Sequence, residues 1–251
     1  MLLAIDIGNT NISFGVFREN KLVKKFSIPA KSYNIKTLKV FLGRINIDTG
    51  IICSVVPKST DILEKDLKRY LDLNPYILGK NVMVPIKNNY RNPGQLGQDR
   101  LVNAYAGTVL FGAPLIVIDF GTAITFDIVS GQKEYIGGMI LPGLSTSLNA
   151  LSQKTALLPE IRLEEPEEFI GRDTKSGMLS GIVYGFAALT DGLIEKIHNK
   201  LGKKMKVVGT GGNIDFIAKY CSKIDKADTD LTIKGLNLIG NNKVTGISIN
   251  K

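Results

Sequence analysis

The 251-residue sequence predicts an α/β fold built from two related halves, and three observations carry that prediction. Two aliphatic runs, Leu2-Leu3-Ala4-Ile5 and Leu115-Ile116-Val117-Ile118, each end in an acidic turn that contains glycine: Asp6-Ile-Gly-Asn-Thr10 and Asp119-Phe-Gly-Thr-Ala123. Each turn leads into a second β-rich segment, 12–17 and 124–129, so both read as strand, tight turn, strand. The two carboxylates stand 113 residues apart, about the length of a small domain, as a duplicated scaffold requires.

The elements come in order along the chain. Strands are expected at 2–7, 11–17, 22–28 and 51–56, the third from the approximate alternation of Lys21-Leu-Val-Lys-Lys-Phe-Ser-Ile28. A helix is expected over 59–71, where Ile62, Leu63, Leu67, Tyr70 and Leu71 fall at helical spacing. Residues 73–97 hold Pro75, Pro85, Pro93 and several Asn and Gly, which predicts loop with short strands. A helix over 99–111 is next. Pro114 then precedes the strand that ends at Asp119, the second hairpin comes after it, and Gly137-Gly138 leads into Met139-Ile-Leu-Pro-Gly143. Further helices are expected at 144–152 and 177–200, and a strand at 205–208 runs into Thr210-Gly-Gly212 at the start of another helix. A helix over 231–239 comes last. The halves are expected to divide at Gly112-Ala113-Pro114, as 1–112 and 113–251.

Composition narrows the function. Hydrophobic content of 44% with 22% charged residues suits a globular enzyme with a proper core. Asp6 interrupts the apolar start at once, and no stretch is expected to reach the length of a membrane span or a signal-peptide core. A cytoplasmic enzyme without a membrane partner is the expectation. Cys53, inside Ile51-Ile-Cys-Ser-Val-Val56, reads as a buried structural thiol, and with Cys221 and one histidine it makes neither a disulfide pattern nor a zinc site. The net charge of +9 is concentrated between Arg18 and Arg44, where Lys21, Lys24, Lys25, Lys31, Lys36 and Lys39 meet only Glu19. A basic surface attracts nucleic acid or anionic metabolites. No aromatic interleaving, helix-turn-helix signature or zinc-finger spacing accompanies this one, so a solvated lysine face is expected and nucleic acid is not.

The chemistry sits in the turns. A strand-end carboxylate beside glycine can hold hydrated Mg²⁺, which binds through one or two carboxylates plus substrate phosphates. Gly8 lets backbone approach a phosphate, and Asn9, Thr10 and the turn amides can donate to its oxygens. An ordinary hairpin turn has the same composition; the second copy, with Asp119 and Thr122, favours the phosphate reading. Gly209-Thr-Gly-Gly212 would let an adenosine or a phosphate lie against backbone and a helix N-terminus. It is not G-x-G-x-x-G, because Ile214 takes the last position, and no segment fits the P-loop. Gly97-Gln-Asp-Arg100 opens a helix: Asp99 fits either an N-cap or a base that accepts a hydroxyl proton, and Arg100 suits an anionic group. His198, near a helix end between Lys196 and Lys200, reads as a dipole-favoured position and not as a catalytic base. The sum is an ATP-dependent phosphotransferase with paired carboxylates.

The ordered set Asp6-Ile-Gly-Asn-Thr10, Tyr90-Arg-Asn-Pro93, Gly97-Gln-Asp-Arg100, Asp119-Phe-Gly-Thr-Ala123, Gly137-Gly138, Pro142-Gly143, Gly171-Arg-Asp-Thr174 and Thr210-Gly-Gly212 resembles a type III pantothenate kinase, and it spans nearly the whole chain. That family belongs to the superfamily of acetate and sugar kinases, heat-shock ATPases and actin. The resemblance implies two ribonuclease-H-like halves of the actin-like ATPase type, with mixed sheets flanked by helices. It implies phosphorylation of pantothenate by ATP to 4′-phosphopantothenate, the first step of coenzyme A synthesis. It assigns the turn Asp6, Ile7, Gly8, Asn9, Thr10, Asn11, Ile12 and Ser13, together with Thr122, to ATP. Asp6 would organise magnesium, in part through water, and Asp119 would hold a monovalent cation, potassium or ammonium. Tyr90, Gly97, Gln98, Asp99 and Arg100 would bind pantothenate, with Asp99 as proton acceptor. Thr174 would reach pantothenate across a homodimer interface. The stretch from Asn241 to Lys251 receives no role. Two rivals stand beside this reading: a kinase or hydrolase of the same superfamily acting on another acceptor, and a non-enzymatic regulator that uses the basic region to meet an acidic partner.

Overall fold

A computed structural model describes residues 1–244. The first stretch of chain gives strands β1 (Leu2–Ile7), β2 (Asn11–Arg18) and β3 (Lys21–Pro29), helix α1 (Ile35–Leu42), strand β4 (Thr49–Ser54) and helix α2 (Pro57–Leu71). Two short strands, β5 (Tyr76–Ile77) and β6 (Lys87–Asn88), precede helix α3 (Gln98–Phe111). Then come β7 (Leu115–Phe120), β8 (Ala123–Val129), β9 (Glu134–Pro142), α4 (Leu144–Lys154), α5 (Thr174–Leu201), β10 (Lys206–Thr210), α6 (Ile214–Ile217), β11 (Lys226–Ala227) and α7 (Leu231–Val244). The remainder of the C-terminal stretch, past Val244, lies outside the described residues.

Two compact units result: Met1–Leu110 joined by the chain from Asp230, and Phe111–Thr229. In the first unit the sheet order is β3-β2-β1-β4-β5. β1 to β3 form an antiparallel meander, while β4 runs parallel to β1 and β5 parallel to β4. One face of β1, Leu3, Ile5 and Ile7, packs with Phe14, Leu38, Leu42, Leu63 and Leu67. Its central position, covered on both faces, is why β1 reads as a continuous aliphatic run. The other face is covered by α7, whose Leu231, Ile233, Leu236 and Ile239 are buried. The fit is close: a Cβ on Gly240 would overlap Leu2, and one on Gly15 would overlap Ile233.

That packing corrects the expected division 1–112 and 113–251. α7 returns to the first unit, because the Leu2, Ala4 and Ile51 side of that sheet needs an apolar cover. The basic segment forms edge strand β3 and helix α1; Lys21, Lys25, Lys31, Lys36 and Lys39 are exposed. Lysines on an edge strand also discourage pairing with a foreign strand.

The second unit repeats the topology in the order β9-β8-β7-β10-β11, again an antiparallel meander with parallel strands after it. Ile116, Ile118, Phe120, Ile124, Phe126 and Ile128 face α4, α5 and α6. Asp127 is fully buried and accepts hydrogen bonds from the Tyr135 hydroxyl at 2.9 Å and the Thr125 hydroxyl at 3.0 Å.

α5 corrects a second expectation. With 28 residues and a mean hydropathy of 1.4 over its most apolar window, it is long and apolar enough to cross a membrane. Its Met178, Leu179, Ile182, Val183, Ala187, Ile194 and Ile197 are instead buried in the core of this unit, which accounts for the composition. Before α5, the segment 155–173 lacks regular structure. It is fastened by ion pairs Lys175–Glu164, Lys219–Glu165 and Arg172–Glu168, and by the ring contacts Phe169–Tyr184–Tyr220–Phe216.

Candidate active site

In the first unit Asp6 lies near the end of β1, opposite Ser13 on β2 and Cys53 on β4. The turn closes with the Gly8 amide donating to the Asn11 carbonyl at 3.0 Å, and the Thr10 carbonyl accepts from Ala30 N–H at 2.9 Å. Asn9, Thr10 and Asn11 are exposed, so their side chains and amides can meet a ligand. Ile7 and Ile12 are buried, and only their backbone is available at this turn.

Asp99 lies one residue inside α3 and is therefore not the N-cap. Its Oδ1 accepts the Arg100 amide at 2.9 Å, and the carboxylate folds back until a Cβ on Gly97 would overlap it. Glycine at 97 thus leaves room for this placement of the Asp99 carboxylate. Burial pushes the Asp99 carboxyl above its ordinary value, while the Arg100 amide and guanidinium pull it back in part. Arg100 is itself buried, a permanent cation at the helix start. Cys53 is fully buried and its thiol is pushed well up, first by burial and then by Asp6 and Asp99. Both carboxylates therefore act on one point, the end of β4. The Gln98 amide packs on Gly79, and its Oε1 is buried with no hydrogen-bond partner among the described residues. Tyr90 is half-buried, its amide held by Asn88 Oδ1 at 2.9 Å.

In the second unit Asp119 lies opposite Thr125 on β8 and Thr210 on β10. The turn carbonyl of Thr122 accepts from the Gly143 amide at 2.9 Å and the Thr146 hydroxyl at 2.7 Å, which ties the hairpin to the start of α4. Gly211, at φ +91°, passes so close to Asp119 that a Cβ would overlap its Oδ1 and the Phe120 backbone. The β7–β8 turn, the β10–α6 turn and the start of α4 therefore meet around one carboxylate, with the Thr122 side chain exposed.

Beside them opens a cleft of about 640 Å³, lined by Ser145, Asn149, Glu160, Arg162, Asn213 and Phe216 among others. Sequence reasoning missed these residues. The Ser145 and Asn149 pair, one helical turn apart, was the available signal, as was Asn213 after Gly211-Gly212. Thr174 is exposed as the first residue of α5, after an Asp173–Ser176 capping box. No group of three or more His, Cys, Asp or Glu able to hold a metal occurs among the described residues.

Residues 2–196 match the family profile of type III pantothenate kinases. A type III pantothenate kinase of Sulfurihydrogenibium sp. (strain YO3AOP1) is 39% identical, over 94% of this chain and 98% of the relative. Another, from Syntrophobacter fumaroxidans, is 40% identical over 95% and 97%. Among solved structures, a conserved Campylobacter jejuni protein assigned to the Baf family of transcriptional activators superposes with a TM-score of 0.62 at 25% identity, covering 97% of this chain and 99% of that one. Component A of Acidaminococcus fermentans (R)-2-hydroxyglutaryl-CoA dehydratase superposes with a TM-score of 0.55 at 12% identity, over 95% of each chain. The fold is that of actin-like ATPases and sugar kinases. The chain belongs to the type III pantothenate kinase family, ATP-dependent kinases that phosphorylate pantothenate for coenzyme A synthesis.

Proposed function

We propose that the chain transfers the γ-phosphoryl group of ATP to the pantothenate hydroxyl, with Asp99 accepting the hydroxyl proton. The carrying observation is the Asp99 carboxylate, half-buried and raised in pKa yet held as an acceptor at the start of α3. A base poised nearer neutrality takes a proton more readily as the new P–O bond forms. The hydroxyl oxygen bonds to phosphorus, the bond to the bridging oxygen breaks, and ADP leaves with those electrons.

The turn from Asp6 to Ser13 offers amides and hydroxyls to the phosphates, and Thr122 does the same in the second unit. The cleft beside Asn213 and Phe216 suits the nucleoside, with a ring face for a base and polar groups for the ribose. Tyr90, Gly97, Gln98 and Arg100 receive pantothenate, with the Arg100 guanidinium suited to its carboxylate.

A lone strand-end carboxylate without a protein cage fits Mg²⁺, which keeps water and takes phosphate oxygens as ligands. Asp6 would hold it, in part through water, and the ion would neutralise phosphate charge. Asp119, cradled where a Cβ on Gly211 would intrude, fits a monovalent cation such as potassium or ammonium. α5 supports a homodimer that places Thr174 at a shared site: Gly177, Gly181, Gly185 and Gly192 lie on one face with open space where a Cβ would point. The enzyme acts in the cytoplasm.

Coupled ADP release with Mg-ATP and pantothenate, in potassium and again in sodium, tests the proposal. Turnover that depends on pantothenate and on potassium is expected. Turnover of equal rate in sodium removes the cation from Asp119. A silent assay in both salts refutes the acceptor.

A further inference from the structure

A second cavity lies in the Phe111–Thr229 unit, at the far end of the strands from the Asp119 turn. It is a groove of about 400 Å³ between the β8–β9 hairpin and the last turns of α5. Ile128 near the end of β8 and Ile197 on α5 form an apolar floor, and Ile136, Met139 and Leu201 form partly exposed walls. Gly137 and Gly138 contribute no side chains, which keeps the groove open.

Lys196 and Lys200 stand over it, one helical turn apart and exposed. Neither takes part in an ion pair among the described residues, and the adjacent acid, Glu195, is held by Lys223 at 2.6 Å. The helix dipole accounts for lysines in the last turns of α5. It does not account for an apolar groove beneath them. Lysine stems lie along apolar surface while their ammonium groups stay at the rim, so an apolar body with an anionic head complements the site at both ends.

We propose that this groove binds a small amphipathic anion, an alkyl or aryl carboxylate. Its hydrocarbon part lies against Ile128, Met139 and Ile197, and its carboxylate lies between Lys196 and Lys200. None of these residues belongs to the turns that bind phosphate, so the site is separate from the phosphotransfer chemistry.

Calorimetric titration of the full chain with octanoate tests this, with octanol (chain without charge) and acetate (charge without chain) as comparators. Octanoate should saturate one site per chain, at least tenfold tighter than either comparator. The double variant Lys196→Gln/Lys200→Gln should weaken octanoate at least tenfold, and Leu201→Glu should do so from the apolar side. Both variants should keep the wild-type rate of pantothenate-dependent ADP release. Octanol binding as tightly as octanoate, or an unchanged affinity in the lysine variant, overturns the proposal. So does an oligomer in sedimentation that Leu201→Glu dissociates, since a second copy would then occupy the groove.

Discussion

Replacing Asp99 with Asn separates chemistry from folding. The substitution keeps size and leaves an Oδ1 to accept the Arg100 amide, which stands 2.9 Å from the carboxylate. It removes only the proposed proton acceptor. Positioned acid–base groups contribute about a hundred- to ten-thousandfold in rate, or about 3–5 kcal/mol of barrier. Turnover should fall by that factor with the KM for ATP little changed. Stability should not fall. Burial raises the Asp99 carboxyl above its ordinary value, so above the folded-state pKa the native protein holds this charge at a net cost. That cost disappears as pH falls through the folded pKa, and Asn never incurs it. Thermal melts at neutral pH should therefore place the variant level with or above the wild type, the gap closing as pH drops toward the carboxylate range. The wild-type rate should fall with pH in the same window as the base protonates. A variant within a few-fold of the wild-type rate would make Asp99 a structural residue of the α3 start, and a large loss of melting temperature would refute the linkage argument.

Three further substitutions probe other parts of the two units. Thr174→Ala should raise the KM for pantothenate several-fold while leaving that for ATP unchanged; equal effects on both, in steady-state kinetics, would take Thr174 out of the acceptor site. Gly211→Ala puts a side chain at φ +91° against Asp119 and Phe120. It should cost about 1–3 kcal/mol in denaturant unfolding and remove most potassium-stimulated turnover. Tyr135→Phe deletes the hydroxyl that donates to buried Asp127 at 2.9 Å and should cost about 1–3 kcal/mol, read as a lower midpoint in urea at unchanged slope.

What the sequence makes legible is local. The acidic turns declare themselves because an aliphatic run, a carboxylate and a glycine occur within about ten residues and the strands pair with their immediate neighbours. Helix α1 is not legible. It spans eight residues, begins at an Asn34 cap that accepts the Thr37 amide, and buries only Leu38 and Leu42. The sequence reading starts α5 at Gly177, but the Asp173–Ser176 box opens the helix at Thr174. α7 is legible as a helix and not as part of the first unit. Its destination depends on Gly15 and Gly240 making room across most of the chain length. The closeness of Gly211 to Asp119 is hidden for the same reason, since it rests on the parallel pairing of β10 with β7.

The duplicated turns are alike in strand order and differ in the residues that succeed the parallel strand. Asp6 has Cys53 beside it on β4, and Asp119 has Thr210 beside it on β10. The Cys53 thiol is buried and held protonated, so it offers Asp6 neither counter-charge nor an open approach. After β4 the chain continues through Ser54, Val55 and Val56, where the Ser54 hydroxyl accepts the Val56 amide at 3.0 Å. After β10 it continues through Gly211 and Gly212, and the backbone itself closes on Asp119. In the proposed assignment, Asp119 takes the weakly hydrated monovalent ion, which can use carboxylate and carbonyl oxygens directly. A strongly hydrated divalent ion, which keeps its waters and reaches the protein through one carboxylate, suits Asp6. On the proposed assignment the two turns serve different ions, and what distinguishes them lies in the residues after β4 and β10, not in the acidic turns themselves.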